Sequence, residues 1–567
     1  MKRAGIVLLA LLTAGGVLAG CRVARHETAG SHGGVLHVGN GAEPQDLDPH
    51  LVTGVPEHRL VSALFEGLVD VDPETLEPVP AVAESWTVSS HGTVYTFRLR
   101  EDARWSNGDP VRAHDFVYAW KRILTPALGS EYAYMLHCMK NARAYNEGTL
   151  TDFGEVGAKA LDDRTLEVTL NHPTPYFLSM QIHYTWYPVH RATIERYGQM
   201  DERGTRWTRA GNLVGNGAFR LERWEPDRII TIARNPHYWN AGRVRLEAVH
   251  FHPVDNVLTE ELLFRVGRFD LTTTVPLNKV EVYQRTRPDA IRIDPYLGTY
   301  FYRLNVTRPP FTDARVRRAF AMSIDREDLV RNVVRAGRKP AYCFTPPDTA
   351  GYTCSTAIPY DVDEARRLLA EAGYPNGEGF PEVELLHNTS DDHRQIAEAA
   401  QAMWKQHLNV RVSLVNQEWK VYLNSMLQRD YQIARSGWIG DFVDPINFLE
   451  CFTTGNGNNR TGFASDKYDA LIAQALGEVD GERRIAVLQE AERLLLEEAP
   501  IVPIYFYTNI FLKRPDLKGI APNLLGYVSF KRLYFEPDGA PPREPRGEGT
   551  VTRAGVGVGV TRDGRAG

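Results

Sequence analysis

The chain has 567 residues, a length that calls for two or three domains. Its 43% hydrophobic and 24% charged residues are those of an ordinary soluble globular protein. The formal charge of −6 becomes −8 once the two N-terminal cations Lys2 and Arg3 are set aside, which argues against nucleic-acid binding as the main role.

Met1-Lys-Arg3 precedes an apolar run over residues 6–18 that is too short to span a bilayer, so residues 1–20 read as a signal peptide. The run ends in Leu18-Ala-Gly-Cys21, small residues before a cysteine, which resembles a bacterial lipobox. The resemblance implies cleavage before Cys21. It also implies a lipid anchor in the cell membrane and a body facing the periplasm or cell exterior. The alternative is an ordinary signal peptide with a chance cysteine. Residues 21–34 are polar and read as a tether.

Residues 35–38 read as a first strand. Glu43-Pro-Gln-Asp-Leu-Asp-Pro-His50 makes a proline-rich turn, and Val55-Pro-Glu57 opens an amphipathic helix through Val61, Leu64 and Leu68. Ala83-Glu-Ser-Trp86 and Thr93-Val-Tyr-Thr-Phe-Arg-Leu99 alternate apolar and polar residues and predict a strand pair. Trp105-Ser-Asn-Gly-Asp-Pro110 is a turn before a helix that starts at Ala113. Leu166-Glu-Val-Thr-Leu170 alternates again. His250-Phe-His252 puts two imidazoles on one strand face. That is either part of a metal site or a solvated face, and no acid or cysteine lies nearby in sequence to complete a site.

Residues 291–304 are strand-like and aromatic. A helix capped by Thr312 or Asp313 is expected to run to about Val334. Helices over 359–373 and 393–408 alternate with strands over 383–386 and 410–415, the pattern of a mixed α/β lobe. Asp480 caps a long helix over 482–499. Ile501-Val-Pro-Ile-Tyr505 is an apolar strand expected to return to the first lobe. From about Gly539 the composition turns to Gly, Pro, Arg and Val without amphipathic period, so 539–567 reads as a disordered tail. Cys343 and Cys354 bracket Pro346-Pro347, and a local disulfide between them is expected, with Cys138 and Cys451 free.

The stretch richest in chemistry is Ala434-Arg-Ser-Gly-Trp-Ile-Gly-Asp441-Phe-Val-Asp-Pro445. Tyr431-Gln-Ile-Ala434 before it reads as a short strand. Gly437 and Gly440 let the backbone turn sharply or approach another chain closely. Asp441 then sits at a strand end, where a carboxylate can face a cleft. A carboxylate beside the Trp438 indole suits a ligand that carries an ammonium group next to an apolar or extended body. The alternative is a turn in which the aspartate caps backbone and the tryptophan is core.

Trp419, in Asn416-Gln-Glu-Trp-Lys420, lies sixteen residues before Arg435. His393, in Asn388-Thr-Ser-Asp-Asp-His-Arg394, lies twenty-six before Trp419. These motifs, their spacing and the Arg-x-Gly-Trp-x-x-Asp core resemble the oligopeptide-binding proteins of ABC peptide importers, extracellular solute-binding protein family 5, over roughly residues 35–535. The resemblance implies an α/β, two-lobed periplasmic-binding-protein-like fold of type II with a hinge. Lobe I is expected from 35–65, 191–292 and 506–538, an extra subdomain from 66–190 and lobe II from 293–505. It implies a monomer that encloses an oligopeptide and hands it to a permease, with no cofactor, no metal and no nucleic acid.

Carried onto single residues, the resemblance gives Asp441 the peptide's amine. Backbone around Gly437 and Ile439, with Val55 from the other lobe, pairs with an extended peptide. Trp419, Trp438 and Tyr132 wall side-chain pockets, although Tyr132 reads equally well as a core tyrosine. His393 meets the C-terminal carboxylate or is an exposed residue at a helix start. Arg435 meets the peptide or is held in an ion pair beneath the site. Thr53 stands where close relatives often have an acid. Val334 stands where they have a base that meets short peptides, so either Arg335 substitutes or that contact is missing. Other readings are a binder of a dipeptide, murein peptide or non-peptide, and an exported hydrolase. Against the last, the chain has no Gly-x-Ser-x-Gly elbow, phosphate loop or His-Glu-x-x-His.

Overall fold

The computed structural model describes residues 34–536. The expected signal peptide, Cys21, the tether up to residue 33 and the tail over 539–567 lie outside the described residues.

Three sheets carry the molecule, and each draws its strands from a different part of the chain. A four-stranded sheet is ordered Val35–Gly39, Ala248–His252, Ile229–Arg234, Phe219–Glu225; its first pair is parallel and the rest antiparallel. An antiparallel sheet of Ala83–Val88, Val94–Leu99, Thr165–Thr169 and Ala158–Ala160 falls inside the stretch read as an extra subdomain. The third sheet has six strands, ordered Lys339–Pro340, Ile501–Leu512, Ile291–Leu304, Ile433–Ile439, Val383–Asn388, Val412–Gln417.

Two long strands link the six-stranded sheet to the first one. Ile291–Leu304 pairs with Ile501–Leu512 in two blocks, 291–295 against 508–512 and 299–303 against 501–506, with a register shift between them. The far block reaches the first sheet's side, where Thr272 N donates to Leu512 O and Arg514 N to Asp270 O. Residues 501–505 therefore do not simply return to the first lobe, as expected. They belong to the six-stranded sheet, second in its order and paired with Ile291–Leu304, and only the continuation to Leu512 crosses over. The apolar run Ile501-Val-Pro-Ile is buried on both faces, and that requires a central strand.

The helix expected to reach Val334 is broken. Ala314–Met322 starts at Asp313, whose carboxylate accepts from Arg315 N. It stops before Asp325, a second N-cap that accepts from Asp328 N and opens Arg326–Leu329. Buried Arg326 fixes the break by donating to the carbonyls of Pro503, Ile324 and Ala321.

Cys343 and Cys354 are free thiols, which corrects the expected bridge. Each sulfur turns to a local carbonyl, Cys343 to Thr345 O and Cys354 to Thr356 O. The loop between them is held instead by Glu492 of the helix Gly481–Glu498. Its buried carboxylate accepts from Phe344 N, Thr345 N and the Tyr352 hydroxyl.

Candidate functional site

The first sheet, through Val38, and the six-stranded sheet border a cavity of about 230 Å³, to which the 66–190 stretch adds Tyr132, Ile182, His183 and Tyr184. Of the ten binding residues expected from sequence, eight line it: Val55, Tyr132, Trp419, Arg435 and the run Gly437, Trp438, Ile439 with Asp441. His393 and Arg335 do not.

The strand Ile433–Ile439 organises the site. Ala434, Ser436 and Trp438 are buried on one face, while Arg435, Gly437 and Ile439 alternate onto the other. One edge pairs continuously with Ile291–Leu304, from Leu304 opposite Ile433 to Gly298 opposite Ile439. The other edge pairs with Val383–Asn388 only at Ile433 and Ala434. From Arg435 to Ile439 that edge has no strand partner among the described residues, and all five residues border the cavity. Gly437 lies inside this strand and is not a turn. Its need is space, since a Cβ there would stand 2.7 Å from the Tyr507 hydroxyl.

Asp441 follows two residues beyond the strand and is held by Asn447. Asn447 Oδ1 accepts from Asp441 N at 3.0 Å and from Trp438 Nε1 at 3.1 Å, and its Nδ2 donates to Asp441 Oδ2 at 3.3 Å. The other carboxylate oxygen faces His183 Nε2 at 3.4 Å. Burial pushes the Asp441 carboxyl up to about 7, against a weaker opposing pull from Asn447. Burial also drives His183 well below its ordinary value, and nearby His58 adds to that. The acid is therefore largely buried, and among the described residues no lysine or arginine pairs with it. Tyr132 stacks on Trp438 with ring centres 6.3 Å apart and tilts against His183 at 4.9 Å, so it forms a wall and is not isolated core.

Arg435 makes no ion pair with any described residue. Its Nη2 donates to the Tyr507 hydroxyl at 3.0 Å and its Nη1 to Asn388 Oδ1 at 3.4 Å, and the guanidinium lies 5.0 Å from the Tyr300 ring centre. The alternative of an ion pair beneath the site is not what the fold builds. His393 begins the helix Asp391–Leu408 with its ring 5.7 Å from that same Tyr300, behind the cavity wall. Its Nδ1 is buried without a partner, and burial pulls the imidazole well below its usual value, with Arg435 contributing. Arg335 lies elsewhere. It follows the last helical residues, Val330–Val334, with φ +54° and its guanidinium points to Glu281 at 3.9 Å.

Trp419 closes the cavity from the six-stranded lobe. It heads the helix Trp419–Gln428 and stacks on Tyr422 at 5.6 Å. Facing it is Gly54, where a Cβ would stand 3.0 Å from Trp419 Cζ2. Thr53 Oγ1 meets Arg460 Nη2 at 3.5 Å, and Arg460 is ion-paired with Glu131. Sequence reasoning missed His183, Asn447, Tyr507, Arg303 and the Arg460–Glu131 pair. Only Asn447, two residues after Pro445, left a local signal, since an asparagine there can bond backward to a strand end.

Two α/β lobes joined by paired long strands and closed over a cavity define a solute-binding protein. Residues 77–460, more than half of the chain, match the model of the bacterial extracellular solute-binding proteins, family 5 (middle), and the chain belongs to that family. It is 39% identical over 491 residues to the periplasmic oligopeptide-binding protein OppA of Escherichia coli (strain K12), covering 85% of this chain and 88% of that one. Its structure resembles the Escherichia coli murein tripeptide binding protein MppA with a TM-score of 0.84 at 36% identity, over 88% of this chain and 98% of that one. It resembles Haemophilus influenzae OppA in complex with RPPGFSPFR with a TM-score of 0.83 at 33% identity, over 89% and 99%. Against the unliganded open form of MppA the TM-score falls to 0.60, so the lobes here stand in a closed relation.

Proposed function

We propose that this protein binds oligopeptides outside the cytoplasm as a monomer and delivers them to an ABC importer. The observation that carries the reading is the edge of Ile433–Ile439 that has no strand partner among the described residues from Arg435 onward, borders the cavity and leads to the neighbourhood of Asp441. A carrier of many peptides must bind what they share: an amine, a carboxylate and a repeating backbone. The open edge offers backbone groups to an extended chain as an added strand. Asp441 takes the ammonium group, which supplies a cation for its largely buried carboxylate. Arg435 takes the C-terminal carboxylate directly, with His393 behind it as a reserve of polar contact through Tyr300. Trp438, Tyr132 and Trp419 wall the side-chain space, and water filling that space tolerates varied residues. Binding, closure and release to the permease make up the function, and no bond is broken.

The N-terminal Met1-Lys-Arg3, the apolar run and Leu18-Ala-Gly-Cys21 support export and lipid anchoring at Cys21. Replacing Cys21 by serine is expected to move the protein from the membrane fraction to the soluble exported fraction.

The ligand reading is tested by mass spectrometry of what freshly purified protein, without residues 1–21, releases on denaturation. A ladder of short peptides with free amines is expected. A single non-peptide species contradicts the reading.

A further inference from the structure

Away from the cavity the fold gathers one cluster of metal-binding side chains. Cys343 Sγ, Cys354 Sγ and a carboxylate oxygen of Glu492 all lie within 4.8 Å of one another. Among the described residues no other three ligand atoms of His, Cys, Asp or Glu stand so close together.

Local structure brings the two sulfurs together. After Pro346-Pro347 the backbone is left-handed at Asp348, Ala350 and Gly351, and Tyr352 N donates to Thr349 O at 2.9 Å, so the chain reverses. Cys343 and Cys354 flank the loop that results. The carboxylate comes from the distant helix Gly481–Glu498, which packs its Glu492 under the same loop.

Glu492 is fully buried, and among the described residues no lysine, arginine or histidine pairs with it. Buried charges are ordinarily paired or bound to a metal. Oε1 accepts from Phe344 N at 2.7 Å and from Thr345 N at 2.8 Å, while Oε2 accepts from the Tyr352 hydroxyl at 2.5 Å. A carboxylate has about four lone-pair sites, so one more bond can form. Burial pushes the Glu492 carboxyl up. The Cys354 sulfur beside it, burial and Glu492 together push the Cys343 thiol up. Three groups that ionise to anions share one place, and a divalent cation neutralises them together.

The donor set selects the ion. Two thiolates favour zinc or copper(I), and the carboxylate oxygen favours zinc of the two. Ligand atoms around a tetrahedral zinc stand about 3.3–3.8 Å apart, a spacing that shifts of about 1 Å would give here. Both thiols are half-buried, which leaves the fourth position to water.

We infer that Cys343, Cys354 and Glu492 form a structural site for zinc, a clip between the 343–354 loop and the helix Gly481–Glu498. Binding displaces a proton from each thiol into solvent. The clip steadies the floor of the six-stranded sheet, because Thr299 Oγ1 donates to Phe344 O at 2.6 Å and the Phe344 ring packs edge-on against Phe301. It acts on stability and not on peptide recognition, so it stands or falls independently of the oligopeptide reading.

The experiment uses untagged protein carrying Cys21→Ser, reduced, then freed of reductant and metal under argon, and titrated with cobalt(II) followed by zinc. One equivalent of cobalt(II) is expected to give a thiolate-to-metal charge-transfer absorption that one equivalent of zinc abolishes, with release of about two protons. Zinc is expected to raise the melting temperature. Adding Cys343→Ser or Cys354→Ser is expected to remove the absorption and to weaken zinc binding roughly 100-fold or more, while adding Cys138→Ser leaves both unchanged. Absence of the charge-transfer absorption in the parent protein overturns the inference, and this readout needs no further variant to fold. An absorption that survives in both serine variants overturns it as well. So does a Cys343–Cys354 disulfide in peptide maps of the unreduced exported protein, since bridged sulfurs do not bind zinc as thiolates.

Discussion

His183 Nε2 stands 3.4 Å from Asp441 Oδ1 in the cavity wall, and burial disfavours the charged form of each. The acid is pushed up to about 7, so near neutral pH a proton competes for it until a cation arrives.

This pair predicts how binding follows pH. A peptide ammonium needs the carboxylate, so below about pH 7 a proton competes with the ligand, and affinity falls by about tenfold per pH unit. Free-amine peptides are therefore expected to bind about 100-fold more weakly at pH 5 than on the plateau. Above about pH 8 the peptide amine itself loses its proton and affinity falls again. The ligand-free fold follows the opposite sign. A raised folded-state carboxyl contributes stability at low pH that is lost as pH rises through about 7. Calorimetry at pH 6 in buffers of different ionisation enthalpy is expected to show proton release on binding.

Asn447 joins Trp438 and Asp441 through one oxygen. Asn447→Ala leaves an indole N–H and a backbone N–H buried without acceptors, at a cost of about 1–3 kcal/mol for each such group. Loss of stability in denaturant melts together with weaker peptide binding is expected. An unchanged melt contradicts the assignment.

Arg435 has no acid of its own, so Arg435→Gln is expected to cost about 2–5 kcal/mol with a free-acid peptide. The same peptide with an amidated C-terminus is expected to bind wild type and variant alike. Equal losses for acid and amide forms remove the carboxylate role.

Gly437→Ala places a Cβ 2.7 Å from the Tyr507 hydroxyl that Arg435 holds. Overpacking of this kind costs about 1–3 kcal/mol. A lower denaturation midpoint and loss of peptide affinity are expected, whereas Gly242→Ala, with open space around it, is expected to do neither.

Much of the fold was legible because it is written in local periodicity. The strand Ile291–Leu304, the helix Gly481–Glu498 with its Asp480 cap and the pair Ala83–Val88 and Val94–Leu99 follow directly from alternation and capping. The helix towards Val334 was misread because its apolar spacing continues through Ser323–Asp325, and only the tertiary bonds of Arg326 reveal the break. In the site, the Trp438–Asp441 run was legible because strand, indole and carboxylate are neighbours in sequence. Of the two readings of Gly437, a turn or a close approach, the structure has the close approach, to Tyr507 from a distant strand that sequence could not name. His183 and Arg303 were invisible for the same reason, since their meaning depends on which charges surround them after folding. The Cys343–Cys354 pairing was an argument from closeness in sequence; the two sulfurs do lie within 4.8 Å of one another but remain thiols.

The central claim is that Asp441 receives a peptide's amine. The most direct measurement is the affinity of one good peptide, with a free and with an acetylated N-terminus, for wild-type protein and Asp441→Ala. The free-amine peptide is expected to lose about 2–5 kcal/mol in the variant, roughly 30- to 4,000-fold, because its buried ammonium group loses its partner. The acetylated peptide is expected to bind both proteins weakly and alike. An unchanged affinity of the free-amine peptide for Asp441→Ala, or an equal loss for both peptides, contradicts the account.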